Sequence, residues 1–177
     1  MNKRIFRFTA ILLLTLITST SWAQVRRTLD TKVADALAQM PTKDLVHRDR
    51  VLNEMIETGP QGFEKMTQLL TPAGVGNDTA VRFALNSLAR YASEFGKEDA
   101  RQLVENGLLA ALAAQTDTEV RTFLLNQLNL VGGDKSVNAI KKYLKNEELT
   151  EPVVQTLVAI GSESAAVALF ENFSKVN

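Results

Sequence analysis

The 177-residue chain has no cysteine, one histidine, one tryptophan and four prolines. Without cysteine it can form no disulfide, carry no thiol nucleophile and offer no N-terminal cysteine for lipidation. The lone histidine, His47, leaves any transition-metal site to carboxylates. No second imidazole exists to serve as a hydrolytic base, no serine or threonine has a histidine base nearby in sequence, and no Gly-x-Ser-x-Gly elbow occurs. No segment alternates strictly between apolar and polar residues, and no Asn-Gly turn separates β-branched runs, so strands are not expected. Long apolar runs are missing too. The stretch Phe8 to Ile17 covers about ten residues, roughly half of what a spanning helix needs.

That stretch belongs to a separate object. Lys3, Arg4 and Arg7 precede it, and Ser21-Trp22-Ala23 follows with small residues at the −3 and −1 positions of a cut before Gln24. This pattern predicts a cleaved signal peptide over residues 1–23 and a periplasmic or secreted mature chain without stable membrane insertion. The only tryptophan leaves with it. The 20 basic and 20 acidic side chains then become 17 and 20, a net charge of −3. A slightly acidic surface gives no electrostatic reason to bind nucleic acid or an anionic membrane.

What is present is helical periodicity. After a short lead over residues 24–30, Thr31 is positioned to cap a helix carrying Val33, Ala36, Leu37 and Met40, stopped by Pro41. Thr42 would cap a second, with Leu45, Leu52, Met55 and Ile56 on one face and His47 projecting opposite as a solvated side chain. A third groups Phe63, Met66, Leu69 and Leu70 before Thr71-Pro72. The loop TPAGVGN ends at Asn77-Asp78, either of which can cap a helix burying Val81, Ala84, Leu85, Leu88 and Ala92. Glu98 and Asp99 open the next helix. There Gly107 marks a close helix contact or a break, at about 1 kcal/mol relative to alanine. The Gly74-Val75-Gly76-Asn77-Asp78 turn runs into a helix N-terminus, yet no strand precedes it and Asp78 would repel phosphate, so it reads as a loop.

The best-defined unit is Thr116 to Leu144. Thr116 and Glu119 have capping-box spacing. Val120, Phe123, Leu124, Leu125, Leu128, Leu130 and Val131 cover more than half of the helix circumference, as in a helix buried on several sides. Gly132 is placed to end it in the left-handed conformation, and Asp134 to cap a second helix with a narrow Val137, Ile140, Leu144 stripe. The plan recurs. Leu128, Val131 and Gly132 match Leu157, Ile160 and Gly161 at a spacing of 29, and Asp78-Thr79-Ala80-Val81-Arg82 matches Asp117-Thr118-Glu119-Val120-Arg121 at 39. Periods of about 20–50 residues mark solenoids.

The Asp-x-x-Val-Arg helix starts, the Leu-Val-Gly-Gly-Asp and Ala-Ile-Gly-Ser turns and the Ala/Val/Leu helices after them resemble HEAT-like repeats of the short bacterial form. The resemblance covers residues 77–177, with 31–76 as divergent N-terminal helices. It lacks the usual outer-helix proline, and Thr150 stands where Arg121 would repeat. It implies an all-α, right-handed α-solenoid of antiparallel helix pairs, with Asp78/Arg82 and Asp117/Arg121 forming a ladder between repeats.

The function expected of such a chain is non-catalytic protein binding, with Arg82, Asn86, Arg90 and Asn129 as the polar residues facing a protein partner. No cofactor, metal or catalytic residue is expected. The alternative is an accessory or N-terminal module of a larger secreted enzyme acting on cell-envelope or carbohydrate substrates. Beyond Ile160, Val167, Leu169, Phe170 and Phe173 point to a C-terminal edge open to further repeats or a domain.

Overall fold

The structure, a computed structural model, describes residues 28–173. The predicted signal peptide and its cleavage point lie outside them. Among the described residues there are nine α-helices and no strand: α1 (Leu29–Leu37), α2 (Leu45–Glu57), α3 (Gly59–Thr67), α4 (Thr79–Ala92), α5 (Glu98–Ala114), α6 (Thr118–Val131), α7 (Asp134–Ile140), α8 (Thr150–Ile160) and α9 (Glu163–Phe173). A 3-10 turn, Lys141–Lys145, extends α7.

The helices pack largely with sequential neighbours. Helix α4 lies against α2 on one side and α6 on the other, and α6 continues to α8. The odd-numbered helices follow the same rule, α3 meeting α1 and α5, and α7 meeting α5 and α9. Periodicity is the cause. Helix α6 buries Val120, Leu124, Leu125, Leu128 and Val131 completely, an arc too wide for one neighbour, so it must be enclosed by three. The narrower stripe of α7, Val137 and Ile140, is buried in one direction.

Gly107 does not break α5, which runs without interruption from Glu98 to Ala114. A Cβ there would lie 2.2 Å from the buried Phe63 ring of α3. The glycine therefore lets two helices approach across an aromatic side chain.

Several local expectations shift. Helix α1 begins at Leu29, with Thr28 rather than Thr31 as its cap. Asp44 rather than Thr42 caps α2, so Leu45 sits in the first turn and is exposed with Val46. Leu69 falls beyond the end of α3 and is half exposed. Asp117 caps α6 by accepting from the Val120 amide at 3.0 Å, and no Thr116–Glu119 box forms. Gly132 is extended (φ −62°, ψ 149°), and Gly161 takes the left-handed turn at φ 64°. Asp134 is already inside α7, which is capped from outside by Glu105.

Candidate protein-binding face

The Arg82, Asn86, Arg90 stripe recurs every four residues of α4 and so falls on one side of it. On α6 the stripe Glu119, Phe123, Gln127 has the same spacing, and the two stripes meet. Arg82 donates to both Glu119 oxygens at 2.7 Å, and its guanidinium lies 4.8 Å from the centre of the Phe123 ring. Asn86 donates to Gln127 Oε1 at 2.9 Å.

Arg82 makes four hydrogen bonds within the fold. Besides Glu119 it donates to Asp78 Oδ2 at 2.8 Å and to the Thr71 carbonyl at 2.9 Å, while the Thr71 amide donates to Asp78 at 3.0 Å. The bidentate Glu119 contact, and then Asp78, raise the guanidinium pKa further above its ordinary value, against the opposing effect of burial. Asp78 and Arg82 thus fasten the TPAGVGN loop to α4, and Glu119 fastens α4 to α6. The second expected pair departs from this pattern. Arg121 donates to the Gln115 carbonyl at 2.7 Å and lies over the Tyr143 ring, while Asp117 serves as the α6 cap.

The other three candidates are placed differently from Arg82. Arg90 is exposed and uses Nε to donate to Asn86 Oδ1 at 3.1 Å. Asn86 is half-buried and engaged at both ends of its amide. Asn129 lies about 160° around α6 from Gln127 at 100° per residue, away from the α4 contact. Its Oδ1 is buried without a hydrogen-bond partner. The structure therefore brings Arg82, Asn86 and Arg90 together and leaves Asn129 apart, half-buried on the far side of α6, while Asn126 between the two sides is exposed.

The row continues to α8. Thr118 donates to Glu148 at 2.6 Å, and the buried Thr156 hydroxyl reaches the Leu125 carbonyl at 3.2 Å.

On the other row, two residues of α5 hold the Gly132-Gly133 junction. Arg101 donates to the carbonyls of Val131 and Gly132 at the end of α6. Glu105, one turn on, accepts from the Gly133 and Ser136 amides and the Ser136 hydroxyl at the start of α7. The cation faces a helix C-terminus and the anion an N-terminus, as the helix dipole favours. No sequence argument singled out these residues. The i, i+4 pairing of opposite charges is visible, but partners about 30 positions away are not.

His47 is half-buried and within hydrogen-bond distance of Gln39 Oε1, 3.1 Å, rather than fully solvated. Among the described residues, no group of three or more His, Asp or Glu side chains is arranged to hold a metal ion. No helix among them is long and apolar enough to cross a membrane. Comparison with family models, curated proteins and solved structures gives no match to this chain.

Proposed function

We propose that the chain is a short exported α-solenoid of HEAT-like helix pairs, and that the row α2, α4, α6, α8 presents a binding face to a protein partner. One observation carries this reading. Successive helices of the row are cross-linked by side chains from α4 to α6 and on to the α8 segment, which fixes the spacing of the residues left facing outward. A pre-set surface loses little entropy on binding, which is how repeat arrays recognise partners without moving parts.

Within that face the contact residues are Arg90 and Asn126, both exposed, whereas Asn129 is half-buried with its amide oxygen inside. Arg82 and Asn86 hold the face in shape. Arg90 keeps its terminal guanidinium nitrogens free of intramolecular hydrogen bonds to described residues, and Asn126 has no such bond at all. Both can therefore pair with a partner without breaking a bond first.

The test is recovery of a co-purifying protein from the envelope fraction with the mature chain as bait. The double variant Arg90→Ala, Asn126→Ala retains its helical circular dichroism and loses at least about tenfold in partner affinity, equivalent to about 1.4 kcal/mol. The change Gln102→Ala, on α5, leaves binding unchanged. Undiminished binding by the double variant removes the face from consideration.

A further inference from the structure

We draw no further inference here: the strongest candidate, the groove of about 330 Å³ between α3 and α5 that is floored by Gly107, Ala110 and Ala114 and edged by Gln61, Glu64 and Gln68, rests on a stripe of small residues, and nothing in the structure shows what covers it.

Discussion

Replacing Gly107 with alanine sets two opposing effects of known size against each other. In an exposed helix interior the change stabilises by about 1 kcal/mol, because alanine is the better helix former. Here the new Cβ falls 2.2, 2.6 and 2.7 Å from three carbons of the Phe63 ring, whereas carbon atoms settle at about 3.5–4.0 Å. Phe63 is only 2% exposed, so relieving the clash means displacing a packed ring or moving α3 away from α5. Overpacking of this kind costs about 1–3 kcal/mol. The clash wins, and the net loss is up to about 2 kcal/mol in urea unfolding followed by circular dichroism. The sign should reverse once the ring is removed. In a Phe63→Leu background, Gly107→Ala stabilises by up to about 1 kcal/mol, a coupling between the two positions of about 2 kcal/mol. A stabilising Gly107→Ala in the wild-type background would refute the packing of α3 on α5 described above.

Two further outcomes follow from the polar bridges. Arg82→Ala destabilises by about 2 kcal/mol in the same assay: it removes charge-assisted hydrogen bonds and leaves Asp78, with a side chain 12% exposed, short of its main partner. Most of that loss belongs to Asp78 and Thr71, since the Glu119 side chain is 45% exposed and solvent weakens its share; a loss below about 0.5 kcal/mol would show that the clamp does not hold in solution. Ser164 donates to the Asp134 carboxylate at 2.6 Å, and this bond first, with the nearby Ser162 hydroxyl second, lowers the Asp134 pKa below the ordinary aspartate value. A folded-state pKa lowered in this way contributes stability above the unfolded value of about 3.9, and that contribution disappears as pH falls through the folded value. Ser164→Ala moves the Asp134 titration upward in a carboxyl-detected nuclear magnetic resonance experiment, and an unmoved titration would contradict the bridge between α7 and α9.

Helix identity was legible in the sequence because the apolar spacing that predicts a helix is also what buries it. Val81, Leu85 and Leu88 of α4, and Val120, Leu124 and Leu128 of α6, are buried where the periodicity places them. Capping was less legible, since neighbouring residues compete for one role. Thr116, Asp117 and Glu119 all suit the start of α6, and what separates them is Arg82, which draws the Glu119 carboxylate away towards α4. The role of Gly132 also depended on a distant neighbour. A Cβ there would come 2.7 Å from the Leu128 carbonyl and 3.1 Å from the Ile160 side chain, so close approach rather than backbone handedness requires the glycine. The candidate face was half visible. Arg82, Asn86 and Arg90 share a stripe by spacing alone, but only the register of α4 on α6 shows that two of them act as struts. A search for matching stripes at constant offset would have found Glu119, Phe123 and Gln127, each 37 residues beyond its counterpart.

The side-chain bridges between helices are short in chain terms: Glu105 to Gly133 spans 28 positions and Arg48 to Glu94 spans 46. Closing such small loops costs little entropy, and low contact order goes with rapid folding. The exported chain proposed above, threaded N-terminus first through a narrow channel, would begin assembling as it emerges, each new helix docking on the pair before it. Apart from the end carried by α9, little apolar surface has to wait for a distant part of the chain.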